Sequence, residues 1–265
     1  MIRKTAKYGW IPDLPDPRDH VYSPSLGILQ ALPDKVDLQP KFPMYDQGRI
    51  GSCTANAIAG AIEFDRIKSG QNPPFIPSRL FIYYNERSME GDTGYDRGAQ
   101  IRDGIKSVQQ QGVCPETEWP YDDTPAPFEG GPFPVGSRPA TQPSQKCYDD
   151  GTNYIITSYQ ALNQTLSQLQ GCLAAGFPFV FGFSVFSSWD VYPPPTIIPI
   201  PSQNDALVSG HAVLCVGYDN STQLFKIRNS WGDTLGDGGY FYMPYAYTTD
   251  TNLSDSFWVI NAVKE

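Results

Sequence analysis

The residues of this chain best suited to chemistry are a thiol, an imidazole and two carboxamides. Cys53 sits in Asp46-Gln47-Gly48-Arg49-Ile50-Gly51-Ser52-Cys53-Thr54-Ala55-Asn56, a glycine-punctuated loop running into an apolar helical pattern. A thiol in the first turn of a helix meets unpaired backbone N–H groups and the positive end of the macrodipole. Both favour thiolate over thiol, as a nucleophile requires. The competing reading of this stretch alone is a buried structural cysteine. Such a nucleophile needs a base, and the chain has two histidines. His20 lies in a proline-rich segment with nothing to fix its geometry. His211 begins a strand pattern, so by elimination any Cys–His pair is Cys53 with His211.

Asn229 is the expected partner of that imidazole. His211-Ala212-Val213-Leu214-Cys215-Val216-Gly217-Tyr218 and Gln223-Leu224-Phe225-Lys226-Ile227-Arg228-Asn229 read as two strands joined at Asp219-Asn220-Ser221-Thr222. A hairpin folded about Asn220 sets His211 opposite Asn229, and a four-residue loop shifts this by one. The carboxamide is expected to accept the Nδ1–H bond, so that Nε2 faces the sulfur, and Trp231 to shield that bond from water. The resulting chemistry is acyl transfer. Thiolate attacks a carbonyl carbon, the backbone N–H of Cys53 and the side-chain N–H of Gln47 hold the oxyanion, and His211 protonates the leaving amine.

The elements that must position these groups follow from the rest of the chain. Residues 1–31 read as an extended leader: Pro12, Pro15, Pro17 and Pro24 disfavour helix, while Tyr8, Trp10, Ile11, Leu14 and Tyr22 give it something to dock with. It is either a surface arm or a segment lying over a cleft. Residues 32–122 are mainly helical, with Gly70 and Pro73 ending the helix after Cys53. Ser78 is the N-cap of a second helix, and a third spans Ile101 to Gln111 before Gly112. Residues 123–150, rich in proline and glycine, form a crossover. Residues 151–265 are mostly strand, with a helix around Leu166, Leu169 and Leu173, a buried strand over Phe179–Phe186, and a long loop from Val191 to Gly210.

The 265 residues are 40% hydrophobic and 13% aromatic, which supports a real core, and 24 Gly with 25 Pro argue against a helical bundle. A net charge of −9 without a basic stripe excludes a nucleic-acid surface. No apolar run is long enough to span a membrane, and Arg3, Lys4 and Lys7 are not followed by the apolar region of a signal peptide, so the compartment stays open. The five cysteines are Cys53, Cys114, Cys147, Cys172 and Cys215, an odd number. They lack metal-ligand spacing, so neither a metal nor another cofactor is expected. Apart from Cys53 they read as small core residues, with disulfide pairing as the alternative.

The blocks Gln47…Gly51-Ser52-Cys53, Gly210-His211-Ala212-Val213 with Val216-Gly217-Tyr218, and Asn229-Ser230-Trp231-Gly232 with Gly236 and Gly238-Gly239-Tyr240 resemble papain-like cysteine peptidases, in family order. Leu32-Pro33-Asp34-Lys35-Val36-Asp37 resembles the start of the mature enzymes, and Trp119-Pro120-Tyr121 a family Tyr-Pro-Tyr. The His and Asn lie 158 (211 − 53) and 176 (229 − 53) residues after the cysteine, beyond the family's roughly 130–150; the proline-rich loops absorb the excess. The resemblance implies an α+β fold of two lobes, one helical and one β-barrel-like, with a cleft between them that binds extended polypeptide. It implies catalytic roles for Cys53, His211, Asn229 and Gln47. By position Gly98 would pair with the substrate backbone, and Ala99 and Gln100 would border the pocket beside it. Gly210 and Trp231, in the matching blocks, would border the cleft as well.

Three departures stand out. Ile50 replaces a disulfide cysteine of most relatives. Thr54 replaces their usual Trp or Tyr, which is expected to alter the wall beside the thiol. The leader is far shorter than the usual pro-segment. The expected function is a monomeric cysteine endopeptidase acting on polypeptides and restrained by its leader. The alternatives are the same site used for amine acyl transfer and a non-catalytic peptide-binding homologue.

Overall fold

The computed structural model describes residues 8–71 and 75–263. The basic residues Arg3, Lys4 and Lys7 and the helix-stop role of Pro73 lie outside the described residues. In chain order the elements are β1 (Trp10–Ile11), β2 (Val21–Tyr22), α1 (Leu26–Gln30), β3 (Lys35–Asp37), α2 (Cys53–Lys68), α3 (Arg79–Met89), β4 (Ala99–Gln100) and α4 (Ile101–Gln111). They continue with α5 (Gln145–Gly151), β5 (Ile156–Leu162), α6 (Leu166–Ala174), β6 (Phe179–Phe186), β7 (Leu207–Asp219), β8 (Leu224–Arg228), β9 (Tyr240–Pro244), α7 (Tyr245–Thr248) and β10 (Ser254–Val263).

The main sheet runs β2-β5-β10-β6-β7-β8-β9, with β3 added to β7. Side chains alternate across its central strands, as the pleat requires. Phe179, Phe181, Phe183, Val213, Cys215, Phe257 and Val259 enter a core enclosed by the sheet, with α6 and its Leu169 and Leu173 closing one side. Val180, Ala212, Leu214, Val216, Trp258 and Ile260 enter a second core shared with the helices. The strands β6, β7 and β10 are therefore buried on both faces, which explains their nearly unbroken apolar sequences. Each such side chain stabilises the fold by about 1.5–3 kcal/mol.

Helix α2 lies between the other helices and the main sheet. Thirteen of its 16 residues are buried, because it packs on α3 and α4 on one side and on β7 and β10 on the other. The expected single apolar face is thus too narrow a description, since a helix enclosed by protein needs apolar or small residues all round. Ser78 caps α3 by accepting from the Phe81 N–H, Gly112 ends α4 at φ 74°, and Gly70 follows α2 at φ 75°.

Four local expectations need correction. The leader contains a helix, α1, started by Ser25 as N-cap; it packs on α6, where Pro24 and Leu29 fill the space left by Gly171. The crossover contains α5, capped by Ser144. The loop expected from Val191 to Gly210 ends earlier, because β7 begins at Leu207 and pairs with Phe186 of β6. Finally, Asp219 pairs with Leu224 and Leu214 with Arg228, with a bulge between Cys215 and Gly217. Paired numbers sum to 443 and then 442, not to 440. Continued past the end of β8, this register sets His211 opposite residue 231. Asn229, two residues away, shares that face by the period of two, and the contact is diagonal.

The leader is a strap rather than a loose arm. Its β1 pairs in parallel with β4, matching Trp10 with Ala99, and its β2 joins the edge of the main sheet beside β5. Between them Asp13 takes hydrogen bonds from the Arg102 N–H and the Trp258 indole, and Asp19 pairs with Arg102 at 2.8 Å. The chain thereby crosses from the helical half to the sheet.

Candidate active site

The loop before α2 is held from several directions. Gln47 N–H donates to the Ser230 carbonyl at 2.8 Å and Gly232 N–H to the Tyr45 carbonyl at 2.9 Å, so residues 45–47 zip against 230–232. Gly51 N–H donates to Asp96 at 2.9 Å. The Tyr121 hydroxyl donates to the Gln47 carbonyl at 2.9 Å and meets the Ser52 hydroxyl at 2.6 Å. This gives the Trp119-Pro120-Tyr121 block a physical task. Buried Arg79 bonds Glu116, the Asp46 carbonyl and Asn56, and lies over the Tyr121 ring.

This frame sets Cys53 at the first position of α2. Its Sγ accepts a hydrogen bond of 3.3 Å from the backbone N–H of Ala212, next in chain to His211. Cys53 on α2 and His211 on β7 thus come from the two halves, and the residue after His211 reaches the sulfur where α2 packs on β7. Gln47 is fully buried; its amide donates to the Ile50 carbonyl at 3.0 Å and accepts from the Ser230 hydroxyl at 2.6 Å, which fixes the plane of the carboxamide.

His211 bonds Asn229 through Nε2, 2.9 Å from Oδ1. The same Oδ1 accepts the Ser230 N–H at 2.9 Å, which settles which end of the amide faces the ring. Nε2 therefore carries the hydrogen, and the expected Nδ1–H bond to Asn229 is corrected to Nε2–H. The register reaches Asn229 diagonally, and the ring is turned so that Nε2 is the nitrogen on that side. Trp231 stacks on the imidazole with centroids 5.0 Å apart and is backed by Trp189, so it does cover the His–Asn bond.

The leader fills the space in front of these groups. The Gly9 N–H donates to the Gly210 carbonyl at 3.1 Å and the Gly9 carbonyl accepts from the Ala99 N–H at 2.8 Å. Gly98, at φ 80°, leaves room for the Gly9 carbonyl, which an added Cβ would meet at 2.0 Å. Gln100 accepts from the Leu14 N–H. Gly98, Ala99, Gln100 and Gly210 are therefore brought together along one groove, and this groove holds residues 8–14 of the chain itself. The Trp10 indole lies flat on Gly182 and against Gly210, where an added Cβ would meet ring atoms at 1.9 Å and 2.7 Å. Tyr8 lies beside the His211 and Trp231 rings and bonds Asp190 at 2.7 Å.

Under this cover Cys53 is 0% exposed. Burial pushes its thiol pKa up to about 12, against the backbone N–H groups of Ala212, Thr54 and Cys53, which lower it. Desolvation thus works against the thiolate that the helix N-terminus favours. Two departures also find explanations. Ile50 is fully buried in the core, and all five cysteines are free thiols, so the alternative of disulfide pairing is not realised in this structure. Thr54 is buried and donates to Glu86 at 2.7 Å. Glu86, whose carboxyl burial holds well above the usual range, was not singled out in the sequence, where a glutamate inside an amphipathic helix carries no special signal.

The comparisons agree with this geometry. The model of the papain family cysteine protease matches residues 32–258. The chain belongs to the papain family of cysteine proteases. A crystal structure of xylellain, a cysteine protease from Xylella fastidiosa, is 56% identical, covers 100% of this chain and 99% of its own, and superposes with a TM-score of 0.95. A peptidase C1-like protein of Acanthamoeba polyphaga mimivirus is 36% identical over 98% of this chain and 88% of its own length. Cathepsin C of Schistosoma mansoni is 28% identical over 76% of this chain, which spans only 44% of that relative. The α+β papain fold is thereby established, and with it the cysteine-protease class. No helix among the described residues is long and apolar enough to cross a membrane.

Proposed function

We propose that the protein is a cysteine endopeptidase whose groove is held shut by its own leader. The observation that carries the reading is the place of Gly9, bonded to Ala99 on one wall and Gly210 on the other and packed directly on Gly51, two residues before Cys53. A polypeptide in extended form would make the same two backbone bonds. When the leader leaves, water reaches the sulfur and the penalty on its charge falls. The thiolate then forms, with the proton carried by Nδ1 of His211, since Nε2 is engaged by Asn229. Attack on the carbonyl carbon gives a tetrahedral oxyanion held by the Cys53 N–H and the Gln47 amide. Collapse expels the amine with a proton from His211, and water then releases the acyl group.

The test compares the full chain, a chain lacking residues 1–20, and each with Cys53→Ala. This truncation keeps β2 and α1, which complete the sheet edge and cover α6. The reading expects the truncated chain to cleave internally quenched peptides faster than the full chain, and both Cys53→Ala forms to be inactive. Folded truncated protein with no gain, or activity that survives Cys53→Ala, would reject it. Transfer to an added amine, read by product mass, would point to acyl transfer instead; inert Cys53 in the truncated chain would point to a peptide-binding homologue.

A further inference from the structure

A second cluster of reactive groups lies on segments far apart in sequence. Cys114 follows α4, Glu118 is one turn of chain later, and Cys147 is on α5. Their two Sγ atoms and a Glu118 carboxylate oxygen all lie within 4.8 Å of one another. Both cysteines are buried, while the Glu118 side chain is 26% exposed and opens the cluster to the surface. No motif announces this in the sequence, because the ligand atoms come together only when the Pro115–Glu118 turn packs against α5.

We propose that Cys114, Cys147 and Glu118 form a binding site for a thiophilic divalent cation, with zinc the reference ion. Two sulfurs and one carboxylate oxygen this close can draw in to three corners of a tetrahedron about a zinc ion, and water can supply the fourth. Among the described residues the Glu118 Oε2 is buried without a hydrogen-bond partner, the state of a carboxylate oxygen that still needs a proton or a cation. Its Oε1 takes a hydrogen bond of 3.0 Å from Lys146, which also pairs with Asp150. Cys147 meets the Ser144 hydroxyl at 3.2 Å and, at 4.0 Å, the Glu118 carbonyl. Two thiolates and one carboxylate carry −3, a dication leaves −1, and Lys146, shared between Glu118 and Asp150, offsets part of the remainder. Binding releases the two thiol protons and needs no oxidant or reductant. The ion would brace the segment that carries Glu116, the partner of Arg79, and Tyr121, the tie to the Gln47 loop. This role differs from the peptidase chemistry, so the site stands or falls independently of it.

The test uses the full chain with Cys53→Ala, which removes the cleft thiol as a competing ligand. After reduction and treatment with chelator, zinc is added, excess is removed and native mass spectrometry counts bound ions. One zinc per chain is expected, lost in Cys114→Ser and Cys147→Ser and weakened in the isosteric Glu118→Gln. Cobalt in place of zinc should give thiolate-to-metal charge-transfer absorption that vanishes in the cysteine variants. The melting temperature should rise by about 5–10 °C at a hundredfold excess of free zinc over its dissociation constant. Lys146→Ala should weaken binding about 10- to 100-fold. If a cysteine variant does not fold, Glu118→Gln and the cobalt spectrum of the parent decide. No stoichiometric zinc in the folded parent, zinc retained when both cysteines are replaced, or a Cys114–Cys147 disulfide formed in preference to metal binding would overturn the proposal.

Discussion

Replacing Gly9 by alanine should open the covered protein without touching its catalytic groups. An added Cβ at Gly9 would lie 1.8 Å from the Gly51 carbonyl oxygen, 2.4 Å from its carbon and 2.8 Å from its Cα. All three are backbone atoms of the loop that leads into Cys53, so no side chain can turn aside. The strap must lift, giving up the hydrogen bonds to Gly210 and from Ala99, each worth about 0.5–1.5 kcal/mol. Alternatively it stays and carries overpacking of about 1–3 kcal/mol. Either route moves roughly 1–3 kcal/mol against the covered state. At about 1.4 kcal/mol per tenfold, the open population rises roughly 5- to 140-fold until it saturates. The assay is twofold: hydrolysis of an internally quenched peptide, and the rate of Cys53 alkylation read by mass. Both should climb together, and Cys53→Ala in the same background should abolish the hydrolysis. A folded Gly9→Ala protein that matches the parent in both rates would refute the steric argument and, with it, the leader as restraint.

Other expectations follow from the same geometry. In the full chain, burial raises the Cys53 pKa to about 12. The thiol therefore stays protonated below that pH, and alkylation of the covered form should climb tenfold per pH unit through the alkaline range; a plateau near neutrality would contradict this. In the truncated chain Gln47→Ala should lower kcat about 10²–10³-fold with little change in KM. Asn229→Ala frees the His211 ring from a buried, charge-assisted bond of about 1.5–3 kcal/mol and should cost roughly 10- to 150-fold in kcat/KM. Tyr121→Phe unties Gln47 from Ser52 and should lower the melting temperature by about 2–6 °C, for a loss of about 1–1.5 kcal/mol.

Much of this site was legible because its cues are local. Gly48 and Gly51 before an apolar run mark the loop and the start of α2, Ser78 marks the cap of α3, and the strand pattern on either side of Asn220 gives the hairpin that carries His211 and Asn229. What escaped depends on tertiary context. The bulge between Cys215 and Gly217 follows no residue rule, and it shifts the register by which His211 and Asn229 approach each other. The Cys53 thiol pKa is raised by burial, which propensity at the helix start cannot report. The proline count made residues 1–31 read as extended, whereas Ser25 and the apolar contact of Leu29 with α6 suffice for one short helix. Gly9 and Gly182 gave no sequence signal at all; their lack of a side chain has meaning only once Gly51 and Trp10 lie against them.

The most direct measurement is labelling by an irreversible peptidyl electrophile, followed by peptide mapping. The chain lacking residues 1–20 should gain one adduct, on Cys53, while the full chain at the same concentration gains little. Equal labelling of Cys53 in the two chains, or an adduct on Cys114, Cys147, Cys172 or Cys215 instead, would contradict a nucleophile at Cys53 sheltered by its own leader.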